Sequence, residues 1–193
     1  PELCLTGYTC SDLFLQESLL DGAEKALLTL TEATRDKNMV VLAGLPLTVN
    51  GVLYNVAAVL HDGDILGFVP KSYLPTYSEF YEGRHYHSGA DIETDVLFNG
   101  RTYPFGTRLL FRCRQMPAFT LGIEICEDLW VAQPPSISHA LAGATVIANL
   151  SASDETTGKD IYRRSLVSGQ SARLVCGYIY ADAGEGESST DLV

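Results

Sequence analysis

The chain has 193 residues, of which 46% are hydrophobic, and its 13 basic and 24 acidic side chains give a formal net charge of −11. This length allows one well-buried domain and is short for two. The negative charge, with no basic run, disfavours nucleic acid and anionic membranes as partners and favours a small polar or cationic ligand. The apolar runs are shorter than the roughly 20 residues of a membrane span, and no leader opens the chain, so we expect a cytoplasmic protein.

Cysteine usage indicates a reducing compartment. The cysteines are odd in number, include no CxxC pair and have mostly apolar neighbours, which is unlike a disulfide framework. We predict neither a zinc site nor a redox motif. The residues concerned are Cys4, Cys10, Cys113, Cys126 and Cys176.

The first part of the chain predicts a helix followed by a three-stranded meander. Residues 16–37 carry Leu and Ala at spacings of three and four with charges on the opposite side, which is typical of an amphipathic helix. Apolar runs at 39–47 and 52–60 flank an Asn-Gly turn, and an Asp-Gly turn leads into 64–70. We therefore expect three antiparallel strands.

Residues 71–107 are polar and aromatic with few periodic apolar positions, and they predict a long loop region. A loop of this length inside a compact domain is usually functional or disordered. Because its Tyr and Phe content argues against disorder, we expect it to form a wall of a pocket.

The second half of the chain alternates strands and helices. Strands are predicted at 108–112, 118–125, 144–150 and 174–181, and helices at 135–142 and 160–173. Residues 184–193 predict a glycine- and serine-rich turn with a strand beginning at its end. This alternation, without repeats or linkers, predicts a single α/β domain.

Cys126 is a candidate nucleophile because it ends the apolar run 118–125 and is followed by Glu127 and Asp128. The ends of strands in α/β sheets are where ligands and catalytic groups collect. The alternative is a buried cysteine that packs as a small hydrophobic side chain, since free cysteine is among the most buried residue types.

The histidines are poorly placed to act as the base of a cysteine hydrolase. His61 lies at a turn, His85 and His87 in a polar loop, and His139 on a short helix, so none ends an apolar strand. The HxH pair lacks a third metal ligand with a convincing spacing, and we predict a solvated loop there.

Glu2 and Lys71 lie next to apolar stretches, in positions comparable to that of Cys126. Each alone could be a surface charge. Together with a cysteine at the end of a strand, a desolvated carboxylate can serve as base, and an ammonium can favour the thiolate and donate to an oxyanion.

Six sequence blocks carry a family resemblance that extends along nearly the whole chain. The blocks are PELCLTGY, PKSYLPTYSEFYEGR, GIEICEDLW, NLSAS, YRRSLVSGQSAR and GEGESSTDLV. In this order they resemble the glutaminase domains of glutamine-dependent NAD synthetases, a branch of the nitrilase (carbon–nitrogen hydrolase) superfamily. The order Glu, Lys, Cys is that of the superfamily's catalytic triad.

The resemblance implies a mechanism. Glu2 would deprotonate Cys126, the thiolate would attack the side-chain amide of glutamine, and Lys71 with the backbone N–H of Glu127 would hold the oxyanion. Ammonia would leave, and water would hydrolyse the glutamyl thioester. Glu79 would be a second glutamate that lies against the lysine.

The resemblance also implies a substrate pocket and a fold. The pocket would be lined by Tyr8, Tyr77, Glu127, Trp130, Ser153 and Lys159, although Tyr8 and Trp130 fit a structural role in the core equally well. The fold would be an α-β-β-α sandwich of two mixed sheets, and its subunits would pair through helices into a homo-oligomer.

The sequence departs from the family pattern at both ends. Residues 1–5 look like the end of a strand, so we expect an N-terminal strand and helix to be missing before Glu2. A phosphate-binding loop of the SGGxDS type is not found, and GEGES does not open a helix after a strand. The implied cofactors ATP, magnesium and deamido-NAD would therefore belong to a synthetase domain outside this sequence, and none to this chain.

Two other functions remain open at this point. One is a free-standing nitrilase-type amidase that acts on another small amide. The other is a non-catalytic binding domain with the same fold, which loss of Glu2, Lys71 or Cys126 would have favoured.

Overall fold

The computed structural model of the protein describes residues 1–184. The strands are β1 Val41–Val49, β2 Val52–His61, β3 Asp64–Pro70, β4 Glu93–Phe98, β5 Arg101–Gly106, β6 Phe111–Arg112, β7 Thr120–Ile125, β8 Val146–Leu150 and β9 Gly177–Ala181. The helices are α1 Glu17–Ala33, α2 Glu82–His85, α3 Pro135–Leu141 and α4 Lys159–Leu174, and 3₁₀ turns occupy Ser11–Leu15 and Cys126–Leu129.

Within residues 1–184 the strands form two mixed sheets. The order in the larger sheet is β1-β2-β3-β5-β4, in which only β3 and β5 are parallel neighbours. The order in the smaller sheet is β6-β7-β8-β9, with β7, β8 and β9 parallel and β6 antiparallel to β7. The antiparallel meander β1-β2-β3 was predicted from its two turn signals.

Strand β2 shows how the two sheets stack, because its side chains alternate between two cores. Val56, Ala58 and Leu60 face a core that contains Ala23 and Leu27 of α1. The intervening side chains of β2 face a second core shared with the smaller sheet. That second core includes Ala57, Val59, Val69, Leu121, Ile123, Ile125, Ala148 and Leu150.

Helices cover the outer face of the smaller sheet. Ile147 of β8 and Cys176 are buried there with Ala144, and the partly buried Ala140 and Leu174 of α3 and α4 pack against them. The layers therefore run α1, larger sheet, smaller sheet, then α3 with α4. This is the predicted α-β-β-α sandwich, and each sheet has an apolar inner face toward the other.

Three local predictions were wrong. Residues 71–107 contain α2 and the hairpin β4-β5, which closes across Asn99-Gly100, rather than one long loop. Residues 2–6 form a turn rather than the end of a strand. Strand β6 has only two residues, where a strand over 108–112 was expected.

The described helices are too short or too polar for a membrane span, and most of the last sequence block lies outside the described residues. No helix in the described part of the chain has the length and apolar character needed to cross a bilayer. The turn and strand expected at 184–193, including the GEGES sequence, lie outside the described residues except for Gly184.

Candidate active site

Cys126 follows β7 directly and opens the 3₁₀ turn Cys126–Leu129. Its φ of 45° is in the left-handed region, which costs a residue with a side chain about 1–3 kcal/mol. The surroundings hold this conformation: the Ser151 hydroxyl donates to Sγ at 3.3 Å, and Sγ lies 3.8 Å from the Ala152 carbonyl oxygen. The thiol is 5% exposed, so it is buried but borders a cavity described below.

Glu2 and Lys71 form a fully buried ion pair. Lys71 Nζ donates to Glu2 Oε1 at 2.7 Å, and both side chains have zero exposure. Asn55 Nδ2 donates to the same Glu2 oxygen at 2.6 Å, and the Ala152 N–H donates to Glu2 Oε2 at 3.2 Å. Sequence reasoning expected these two charges near Cys126, and the structure brings them together.

The fold accounts for this convergence. Lys71 follows β3, and its N–H bonds the Asn55 carbonyl of β2 at 2.9 Å. The turn that carries Glu2 binds the smaller sheet through a Glu2 N–H to Ser151 O bond of 3.2 Å. The same turn presses on Gly44 of β1, where a Cβ would lie 2.3 Å from Leu3 N, so only glycine fits there.

Glu82, not Glu79, is the second glutamate against the lysine. Lys71 Nζ lies 2.5 Å from Glu82 Oε1, and Glu82 is 3% exposed. Tyr8, predicted to line the substrate pocket, donates its hydroxyl to Glu82 Oε1 at 2.6 Å. Glu79 instead is partly exposed and lines a separate cavity of about 320 Å³ with Tyr8 and Glu82. The prediction for Glu79 was wrong because α2 starts three residues later and turns its first residue inward.

The charged groups of this cluster shift one another's pKa values. Burial raises the pKa of Glu2 to about 7, with Lys71 opposing the shift and Glu82 adding to it. Burial acts to lower the pKa of Lys71, but the carboxylates of Glu2 and Glu82 outweigh it and hold that pKa well above its usual value. Burial, together with the charge of Glu2, raises the pKa of the Cys126 thiol, while Lys71 and the Ser151 hydrogen bond lower it. The resting thiol is therefore protonated beside a carboxylate that can accept its proton near neutral pH.

Asp128 ties the cysteine turn to the segment after Lys71. Its Oδ1 accepts the N–H groups of Ser72 and Tyr73 at 3.1 and 2.8 Å, and its Oδ2 accepts the Ile125 N–H at 2.9 Å. Asp128 is 1% exposed, and burial raises its pKa to about 8, against the hydrogen bond from Ile125. This side chain therefore holds the turn that begins at Cys126 against the segment that follows Lys71.

A cavity of about 440 Å³ opens over Cys126. That volume lies within the roughly 300–1,000 Å³ range of small-molecule pockets. Six residues predicted from the sequence line it, namely Tyr77, Cys126, Glu127, Trp130, Ser153 and Lys159. Glu2 and Lys71 are not among its lining residues, and Ala152 connects the thiol to the ion pair, since its carbonyl oxygen lies 3.8 Å from Sγ and its N–H donates to Glu2 Oε2.

The cavity wall carries charges of both signs. Tyr77 donates its hydroxyl to Glu127 Oε2 at 2.9 Å, and burial raises the pKa of Glu127. Lys159 pairs with Asp154, and its Nζ lies 5.1 Å from the centre of the Trp130 ring. Burial lowers the pKa of Lys159. The wall can thus contact both an ammonium and a carboxylate of one ligand.

Ser153 lines the cavity and is 2% exposed. Its N–H donates to Asp182 Oδ1 at 2.9 Å, which anchors the segment after β8 to the end of β9. The sheet edge therefore sets the position of this residue.

Sequence reasoning missed several residues that support the site. Glu82, Asn55, Ser151 and Asn149 were not selected. Asn55 and Asn149 carried a detectable signal, since each is a polar side chain within an otherwise apolar strand, and a buried amide must be hydrogen-bonded. Ser151 lies in the NLSAS block but has no distinguishing spacing of its own.

One histidine of the loop pair contacts an acidic side chain. His85 Nε2 lies 3.0 Å from Asp12 Oδ1, beside the Arg84–Asp12 ion pair. Across residues 1–184, no group of three or more His, Cys, Asp or Glu side chains is arranged to hold a metal ion.

Comparison with known proteins decides the family. The model of the carbon–nitrogen hydrolase family matches residues 1–181. The chain belongs to this family. A glutamine-dependent NAD(+) synthetase of Mycobacterium tuberculosis (strain ATCC 25618 / H37Rv) is 50% identical over 192 residues, which is 100% of this chain and 28% of that protein.

Solved structures agree with this assignment. A glutamine-dependent NAD(+) synthetase from Cytophaga hutchinsonii superposes with a TM-score of 0.83 at 34% identity, over 94% of this chain and 29% of that one. A carbon–nitrogen hydrolase from Helicobacter pylori G27 shares the fold with a TM-score of 0.62 at 17% identity, over 92% of this chain and 57% of that one. This carbon–nitrogen hydrolase chain thus spans less than a third of the length of its synthetase relatives.

Proposed function

We propose that this chain is a glutaminase domain that hydrolyses the side-chain amide of glutamine and supplies ammonia to a synthetase domain of the same enzyme. The observation that carries the proposal is the Cys126 thiol, which borders a ligand-sized cavity and is linked through Ala152 to the buried Glu2–Lys71 pair. Two glutamine-dependent NAD(+) synthetases, which match 100% and 94% of this chain, support glutamine as substrate.

Acylation begins with proton transfer from the Cys126 thiol to Glu2. The thiolate attacks the amide carbon of glutamine, and the C–O double bond becomes an oxyanion. Lys71 donates to this oxyanion, as does the backbone N–H of Glu127, which as the second residue of the 3₁₀ turn has no intrahelical acceptor. When the C–N bond breaks, Glu2 returns the proton to the leaving nitrogen, and ammonia and a glutamyl thioester result.

Deacylation repeats these steps with water. Glu2 takes a proton from a water molecule, whose oxygen attacks the thioester carbon, and the same two donors hold the second oxyanion. The C–S bond breaks, the sulfur recovers the proton from Glu2, and glutamate leaves.

The cavity wall complements the amino-acid end of glutamine. We assign Glu127, held by Tyr77, to the α-ammonium and Lys159 to the α-carboxylate. Trp130 and Ser153, which also line the cavity, then contact the aliphatic part of the glutamine side chain. Tyr8 does not line this cavity and acts through its hydrogen bond to Glu82 rather than on the substrate.

The other functions of such an enzyme are assigned outside this chain. ATP, magnesium and deamido-NAD would be used by the synthetase domain, and we expect the complete enzyme to be a homo-oligomer. In that arrangement this chain makes ammonia, and amidation of deamido-NAD occurs elsewhere.

The test is ammonia release from glutamine, compared with release from asparagine, short aliphatic amides and carbamoyl compounds. Glutamine should give the highest kcat/KM, and Cys126→Ala should abolish release while the fold is retained. Cys176→Ala removes another buried thiol that bonds only backbone carbonyls, and it should keep activity. A preference for another amide would replace the glutaminase assignment, and near-normal turnover by Cys126→Ala would exclude the mechanism.

A further inference from the structure

The side-chain amide of Asn149 contacts the backbone of the nucleophile. Asn149 lies on β8 and is 1% exposed. Its Oδ1 accepts the Cys126 N–H at 3.0 Å, and its Nδ2 makes a longer contact of 3.5 Å to the Cys126 carbonyl oxygen. One side chain therefore contacts both backbone groups of a residue held at a positive φ.

A chain of hydrogen bonds fixes which way this amide points. The Tyr178 hydroxyl donates its only proton to Glu124 Oε1, and Glu124 Oε2 accepts the Ser136 N–H at 2.8 Å. The Tyr178 oxygen can then only accept, and Asn149 Nδ2 lies 3.2 Å from it. Rotating the amide by 180° would set an NH₂ against the Cys126 N–H and two acceptors against each other. Glu124 thus directs Asn149 Oδ1 toward Cys126 through Tyr178.

This orientation has a consequence for the oxyanion. Because the Cys126 N–H donates to Asn149 Oδ1 on β8, that donor is not available to the substrate. The next backbone donor along the turn is the N–H of Glu127, which is the one that the proposed mechanism uses. A turn that relaxed from the positive φ would reorient this N–H as well as the thiol.

We propose that Asn149 is a positioning residue for transition-state stabilisation: it holds the Cys126 backbone so that the Glu127 N–H and the thiol address the same carbonyl. The inference deepens the proposed function and rests on it for the identity of the substrate. It predicts a defect in acylation, which builds an oxyanion, and not in simple alkylation of the thiol, which builds none.

The experiment compares two reactions of Cys126 in the variant Asn149→Leu, which keeps the size of the side chain and loses both polar atoms. With glutamine, kcat should fall by about 100-fold, in the range for loss of an oxyanion donor, while KM stays within about threefold. The rate constant for alkylation by iodoacetamide should stay within about threefold. Acylation by p-nitrophenyl acetate, which also builds an oxyanion, should fall together with kcat.

Thr31→Val is the control, because it also removes a buried polar group, a hydroxyl of α1 that bonds the Leu27 carbonyl oxygen at 2.8 Å and belongs to neither Cys126 nor the chain of hydrogen bonds through Glu124. All of its rates should stay within about threefold of the unmodified chain. Asn149→Asp, kept protonated by burial and by Glu124, reproduces the amide's donor and acceptor and should retain kcat to within about tenfold. If Asn149→Leu does not fold, Asn149→Ser takes its place.

Two results would overturn the inference. One is an unchanged acylation rate in the folded Asn149 variant, and the other is an equal fall in alkylation and acylation, which would indicate a general loss of structure. The ester separates this inference from the substrate assignment: if the unmodified chain does not hydrolyse glutamine but is acylated by the ester, the function fails and the positioning role is still tested.

Discussion

Glu82 lies against Lys71, where Glu79 was predicted, and this difference shows which residue positions could be predicted from the sequence. Lys71 and Cys126 follow apolar stretches and Glu2 precedes one, which marked each as a candidate, and the family resemblance predicted that the three form one site. The second glutamate lies in an irregular segment, where spacing from Lys71 does not determine which side chain turns inward. Burial of Glu82 against Lys71 and Tyr8 decides it.

Neutralising Glu82 should therefore impair the reaction more than neutralising Glu79. Glu82→Gln removes a charged acceptor from Lys71, and hydrogen bonds to charged groups are worth about 1.5–3 kcal/mol, so kcat should fall about 10- to 100-fold. Glu79→Gln makes the same chemical change three residues away and should stay within about threefold. Steady-state ammonia release measures both variants, and equal losses would contradict the placement of Glu82.

The raised pKa of Glu2 gives the reaction a defined pH dependence. Only the deprotonated carboxylate can accept the thiol proton, so kcat/KM should rise with pH through about 7 and fall about tenfold for each pH unit below it. Asn55→Leu removes a hydrogen bond that lowers the pKa of Glu2, so the midpoint should move upward. A profile recorded from about pH 5 to 9 checks this. A flat profile, or a midpoint that moves downward in Asn55→Leu, would exclude Glu2 as the base.

Among the secondary-structure elements, those with a strong apolar periodicity were predicted correctly, and those without one were missed. Helix α1 and the meander β1-β2-β3 have clear repeats and Asn-Gly or Asp-Gly turns. The hairpin β4-β5 also has an Asn-Gly turn, but its strands are charged and half exposed, so no apolar alternation marked them. Residues 75–80, before that hairpin, form one part of the cavity wall, and the aromatic composition of this segment was the useful signal.

The 3₁₀ turn after β7 depends on Asp128 for its attachment to the larger sheet. In Asp128→Asn an NH₂ group would meet at least one of the N–H donors of Ile125, Ser72 and Tyr73. The free energy of unfolding should fall by about 1–3 kcal/mol, and kcat should fall as well. Asp91→Asn, at an exposed ion pair with Arg108, should change stability by less than about 0.5 kcal/mol. Urea unfolding followed by circular dichroism measures both variants, and equal stabilities would contradict the role of Asp128.

For the whole molecule, the α-β-β-α sandwich explains why the site lies where it does. Lys71 is attached to the larger sheet and Cys126 to the smaller one, and the turn that carries Glu2 is bonded to both, so the three proposed catalytic groups meet only when the two sheets pack. The layer order and the family could be predicted from the sequence blocks. The hydrogen-bond partners across the sheets could not, since they depend on how the two sheets are set against each other.

The most direct test of the central claim is the intact mass of the protein after incubation with 6-diazo-5-oxonorleucine, an electrophilic glutamine analogue, with and without excess glutamine. We expect a single adduct on Cys126, located by peptide mapping. Glutamine should suppress its formation, and glutaramate, which is glutamine without the α-amino group, should not. An adduct on another cysteine, or a folded protein whose Cys126 stays unmodified, would contradict the assignment of Cys126 as the glutamine-directed nucleophile.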